Sequence, residues 1–90
     1  MYTFPDAKDP SDKLDYPWDL TMFLGADTIS SCTWVVDQGI TKESSAVTTK
    51  VATIWLSGGV PGKDYTFTGT VVTAAGRIKN RTFMVRVRET

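Results

Sequence analysis

Histidine is absent from this chain and cysteine occurs once, at Cys32. Without an imidazole there is no Ser/His triad and no histidine-containing zinc site. A lone cysteine closes no intramolecular disulfide, which disfavours a disulfide-stapled secreted domain. Cys32 lies in a strand-like run with Trp34 and Val36 and reads as a buried free thiol acting as a small hydrophobe. Net charge is lacking as well: ten Lys and Arg balance ten Asp and Glu. A general electrostatic grip on nucleic acid needs a basic excess, so no nucleic-acid partner is expected. No stretch approaches the roughly 18 unbroken apolar residues of a spanning helix. The opening residues 1–10 have neither the basic start nor the apolar run of a signal peptide, so neither a membrane partner nor export is expected.

What the chain does have is period-two patterning. Tyr65, Phe67, Gly69, Val71 and Thr73 alternate with Thr66, Thr68, Thr70 and Val72. Beyond the turn Ala74-Ala75-Gly76-Arg77, the residues Phe83, Val85 and Val87 alternate with Thr82, Met84, Arg86 and Arg88. Two such runs about a Gly-bearing turn predict a hairpin. A ribbon of two strands is marginal in water, so earlier residues must supply a second layer. Ninety residues make one domain, and 41% hydrophobic residues suffice for a core.

Residues 1–13, with two prolines and no periodicity, are expected to form an extended N-terminal arm, and 14–90 the folded domain. Tyr2 and Phe4 interrupt the arm's polarity. They either fold back on their own domain or reach a neighbouring subunit. Leu14, Tyr16, Trp18 and Leu20 share one face of an extended segment, which Pro17 restricts to a sheet edge. Leu20 to Leu24 suits a short helical turn before Gly25. Thr28 to Val36 is the next strand, with Cys32, Trp34 and Val36 on one face and Ile29, Ser31, Thr33 and Val35 on the other. After the turn Asp37-Gln38-Gly39, Ser44 to Thr49 is a weak edge strand and Val51 to Ser57 a stronger one. The loop Gly58 to Asp64 leads into the hairpin. Six to seven short strands with turns every 8–12 residues, roughly, predict an all-β fold: a small antiparallel, immunoglobulin-like β-sandwich with Trp34, Leu56, Phe67 and Val85 facing inward.

Neither catalytic nor metal-ligating residues emerge. Asp6, Asp9, Asp12, Asp15 and Asp19 are spaced for a helix face, but Pro10 and Pro17 interrupt it, and a solvated acidic edge is expected. Gly58, Gly59, Gly62 and Lys63 lack Walker spacing and a following helix. Arg77, Lys79, Arg81, Arg86 and Arg88 make one local basic excess. It serves either to keep an edge strand from stray pairing or to dock on an acidic partner surface.

A resemblance covers most of the chain. It is carried by Lys8-Asp9-Pro10 with Leu14-Asp15-Tyr16, by Phe23-Leu24-Gly25-Ala26-Asp27-Thr28-Ile29, and by Thr33-Trp34-Val35-Val36. It continues through Ile54 to Gly59, Gly62 to Thr68, Ala75-Gly76-Arg77 and the strand Phe83 to Arg88. In this order the chain resembles a family of small phage and prophage virion proteins described as fibre–tail adaptors. The resemblance implies a non-enzymatic virion structural subunit, immunoglobulin-like, assembled in the host cytoplasm and joining tail components in many copies. No catalytic residue and no cofactor come with it. Its expected partners are other virion proteins in a symmetric assembly, met through Tyr2, Phe4 and Pro5 of the arm and Arg86 and Arg88 of the last strand. Deleting residues 1 to 10 is expected to leave a folded monomer that fails to join particles. A capsid decoration subunit is the neighbouring alternative. A carbohydrate-binding or adhesion module is another, and it requires Trp18, Trp55 or Tyr65 to be exposed and coplanar.

Overall fold

The computed structural model describes residues 2–89. Seven strands and one helical turn follow in order: β1 (Tyr2–Thr3), β2 (Lys13–Asp19), α1 (Thr21–Leu24), β3 (Ile29–Val36), β4 (Ile40–Val47), β5 (Val51–Gly58), β6 (Asp64–Thr73) and β7 (Ile78–Arg86). They form two sheets, β1-β7-β6-β3 and β2-β5-β4. The fold is an all-β sandwich, as the strand rhythm predicts. Among the described residues the strand pairings are antiparallel except that of β1 with β7, which a parallel bridge of Lys8 with Val87 extends.

The hairpin at the centre of the sequence reading is β6–β7, with residues 74–77 as its turn. Its alternation is real: Tyr65, Phe67, Gly69, Val71 and Thr73 are buried while the residues between them are half-buried. Phe67 and Phe83 stand directly opposite across the two strands and stack at 5.4 Å between ring centroids. Trp34 of β3 tilts against both rings at 5.9 Å. From the facing sheet, Ile54 and Leu56 of central β5 are completely buried, and Tyr16 and Trp18 of β2 nearly so. Leu56, Trp34, Phe67 and Val85 thus meet from opposed layers, as alternation along each strand requires.

Four details differ from the sequence reading. Ile29, assigned to the outward face, is buried because the β3–β6 register shifts between Ile29 and Ser31. The extra residue of a bulge flips the parity of everything before it. Leu14 remains 38% exposed instead of sharing the buried face of Tyr16 and Trp18. Strand β4 begins at Ile40, four residues earlier than its Ser-rich segment indicates. It is an edge strand whose residues after Ile40 are all exposed, and it carries its own bulge between Lys42 and Ser44. Cys32 is half-buried, not buried.

Residues 2–8 lie along β7. Thr3 pairs with Met84, the Phe4 amide donates to the Met84 carbonyl at 3.0 Å, and the Lys8 amide donates to the Arg86 carbonyl at 2.8 Å. The Arg88 amide returns a bond to the Lys8 carbonyl at 2.9 Å. The last strand is therefore covered from Phe83 onward and is not a free edge there. Of the two readings of Phe4, the structure places its ring on its own domain: it meets Tyr16 edge-on at 4.7 Å and lies parallel to Phe67 at 6.1 Å.

Candidate functional site

The chemistry-bearing side chains gather on the side of the sandwich where the opening segment passes between β7 and β2. Lys8 anchors that segment. It is fully buried, and its Nζ donates to the carbonyls of Gly58 at 2.7 Å and Asp9 at 2.9 Å. Burial pushes its pKa down, while the charges of Asp12 and Asp9 push it up. Asp9 shapes the turn that follows: its carboxylate accepts the Ser11 amide, and its carbonyl accepts the Asp12 amide. An Asx turn before proline is a sequence signal for a tied-down bend, and the prolines alone did not disclose it.

Of the five residues predicted to meet partners, four are brought together. Tyr2 is 45% exposed and stands edge-on to Phe4 at 5.0 Å. Phe4 is half-buried, Pro5 is exposed, and the Pro5 carbonyl accepts a bond from Arg86 Nη2 at 2.6 Å. Arg88 lies apart, paired with Asp64 at 3.1 Å. An ion pair this exposed is worth little by itself, and the Arg88 guanidinium is also held by the carbonyls of Val87 at 2.8 Å and Lys63 at 3.3 Å.

Between the opening segment and β2 runs a groove of about 210 Å³. Phe4, Pro5 and Ala7 form one wall, and Leu14, Tyr16 and Pro17 the other. Asp6 and Asp15 are its only charged lining residues. The Tyr16 hydroxyl is buried and bonds to nothing among the described residues. Burial, then the charges of Asp12 and Asp15, raise its pKa to about 12, so it stays a neutral donor. A second groove of about 290 Å³ continues past Phe4 and Pro17 toward Trp18, Asp19 and Arg81. Sequence reasoning missed Lys8 and the Tyr16 hydroxyl, because neither residue type nor spacing reveals which buried polar atom finds a partner.

The basic residues from Arg77 to Arg88, along β7 and its two ends, do not form a continuous stripe. Arg77 is committed to α1: it bonds the Phe23 and Leu24 carbonyls, pairs with Asp27 at 3.1 Å, and lies over the Phe23 ring at 4.5 Å. Lys79 also faces that ring, at 5.4 Å. The Thr73 hydroxyl, and also the Thr28 amide, Arg77 and the Ala75 amide, hold the Asp27 pKa down to about 2 against a burial effect that raises it. A depressed carboxylate pKa adds stability that is present above the ordinary value of 3.8 and disappears as pH falls toward 2. Melting temperature followed from pH 5 to pH 2 should therefore show Asp27→Asn less stable than the parent at pH 5, with the gap closing near pH 2. Parallel profiles would contradict this assignment.

Other candidates carry little chemistry. Burial raises the Cys32 pKa, against a Thr70 backbone bond and Lys42, which keeps the thiol protonated and unreactive at neutral pH. No cluster of three or more potential metal ligands occurs among the described residues. Among the described residues no helix is long and apolar enough to cross a membrane. Trp18 and Tyr65 are buried, so the coplanar aromatic platform a glycan module needs is not formed from them. What the geometry offers is surface: an opening segment, two grooves and the edges of the two sheets. No curated protein matches the chain. The family described as Podophage GP4 fiber-tail adaptor protein gp77 matches residues 8–86, nearly the whole sandwich. The chain belongs to this phage fibre–tail adaptor family.

Proposed function

We propose that the protein is a non-enzymatic structural subunit of a podophage virion, assembled in the host cytoplasm and joining tail components in several symmetric copies. The family match across residues 8–86 carries this reading. Balanced charge supports it, since zero net charge leaves little repulsion between packed copies. Repetition around a symmetry axis turns modest contacts into firm attachment through effective concentration. The contacts with other virion proteins are made by the exposed parts of Tyr2, Phe4 and Pro5 and by Arg86 and Arg88.

The burial of Lys8 and the packing of Phe4 change the experiment that tests this. Deleting residues 1 to 10 would strip the core as well as the contact surface, so loss of assembly would follow from unfolding alone. The informative variant is Tyr2→Ser with Arg88→Ser, which leaves Lys8 and the Phe4 ring in place and alters a tyrosine that is 45% exposed and an arginine side chain that is 42% exposed. It should keep its circular-dichroism spectrum and melting temperature and enter particles at least tenfold less efficiently in a complementation assay. Incorporation at the parental level would refute the assigned contact surface.

A further inference from the structure

The trough along β2 has three properties that fit together. Its walls are apolar, from Leu14, Pro17, Pro5 and Ala7. Its charge is of one sign: Asp6 and Asp15 line it, no lysine or arginine does, and neither carboxylate belongs to an ion pair among the described residues. Tyr16, only 6% exposed, contributes to its lining and ends in a hydroxyl with no bond. A buried hydroxyl left unbonded costs free energy, and because this one is closed to solvent a ligand's carbonyl recovers that cost only by shifting the Tyr16 ring toward it.

We infer that this groove binds an extended segment of a partner protein, apolar at alternate positions and carrying Lys or Arg opposite Asp6 and Asp15. From Leu14 to Pro17 the trough follows four residues of β2, roughly 13 Å of extended chain. An extended peptide of that length offers its side chains alternately to the apolar walls and the acidic rim. Four of the chain's own cations are held elsewhere: Arg77 and Arg88 are in ion pairs, Arg86 holds Pro5 and Lys8 is buried. The inference rests on the adaptor reading only for the partner being another particle protein. Binding by the isolated chain is a separate matter.

The test is titration of the full-length ¹⁵N-labelled chain with a hexapeptide alternating leucine and lysine, and with its glutamate counterpart. Shifts should centre on Ala7, Leu14, Asp15 and Tyr16, with the lysine peptide binding at least tenfold more tightly. Asp6→Asn with Asp15→Asn, both at exposed positions, should fold normally, remove that preference and flatten its salt dependence. Tyr16→Phe should melt no lower than the parent and bind the lysine peptide about threefold more weakly. Equal affinity for the two peptides, shifts centred elsewhere, or binding unchanged in the double variant would overturn the inference. So would self-association of the parent abolished by the same two substitutions, which would make a second copy the occupant. Peptide binding that survives in a variant excluded from particles would separate the groove from the adaptor contacts.

Discussion

Replacing Phe67 with alanine should lower the melting temperature by roughly 15–30 °C, the largest effect of any single truncation in this domain. Phe67 is 1% exposed and sits where the two sheets and the opening segment converge. Its ring stacks on Phe83 at 5.4 Å, lies parallel to Phe4 at 6.1 Å and meets Tyr16 and Trp34 at 5.9 Å. Truncating a buried phenylalanine costs about 3–5 kcal/mol, as lost transfer energy plus the cavity left behind. Partners from four separate segments cannot all collapse into one void, so the upper part of that range applies. A small domain has a total stability of only about 5–15 kcal/mol. The variant should therefore populate unfolded chain measurably at 37 °C, read by a urea midpoint well below the parent's. A midpoint within experimental error of the parent would show that the aromatic cluster is not the core.

Gly69→Val should be nearly as damaging, for the opposite reason. Gly69 lies in the middle of β6 directly across from Trp34, and its backbone is not in the left-handed region. Valine favours a strand, so local propensity predicts a gain. Tertiary contacts predict a loss. A Cβ here would lie 2.8 Å from Trp34 Cζ3 and 3.0 Å from Trp18 Cζ3, with the two indoles themselves packed edge to face. Overfilling a packed core costs about 1–3 kcal/mol for methylene-sized insertions. Two rigid rings already packed on one another place valine at or above the top of that range. Gly69→Ala should show a smaller loss, and pairing it with Trp34→Phe should cost less than the sum of the two single changes. Strict additivity would mean the glycine does not make room for the indoles.

These two positions show what alternation along a strand reveals and what it hides. Period two placed Phe67 and Gly69 on the buried face of β6 correctly, and it placed Trp34, Leu56 and Val85 inward in the same way. It gave no reason for a glycine among bulky neighbours. That reason is a tryptophan 35 residues earlier in the chain, brought opposite by the β3–β6 register. Ile29 fails for a related cause: a bulge reverses the parity, and a bulge is a property of two paired strands, not of one. The start of β4 at Ile40 was missed because Thr41 to Val47 is exposed on both faces, so no alternation marks it.

For the candidate site the division is sharper. Acidic residues from Asp6 to Asp19 and a basic excess from Arg77 to Arg88 are visible in the sequence, since charge and spacing are local quantities. Their fates are not. Arg77 became a clasp on Asp27 and Phe23, Arg86 a tie to Pro5, and Asp6 and Asp15 the unpaired rim of a groove. Lys8, in a segment that reads as a polar arm, became the most completely buried charge in the fold. Two sheets, the faces of most strands and the lack of any imidazole or paired thiol are legible in the order of residues, because they follow from period and composition. Which cations are spent inside the molecule, where the opening segment lies and which hydroxyl goes unbonded are set by packing in three dimensions. Those depend on contacts between residues up to 81 positions apart, which no local pattern encodes.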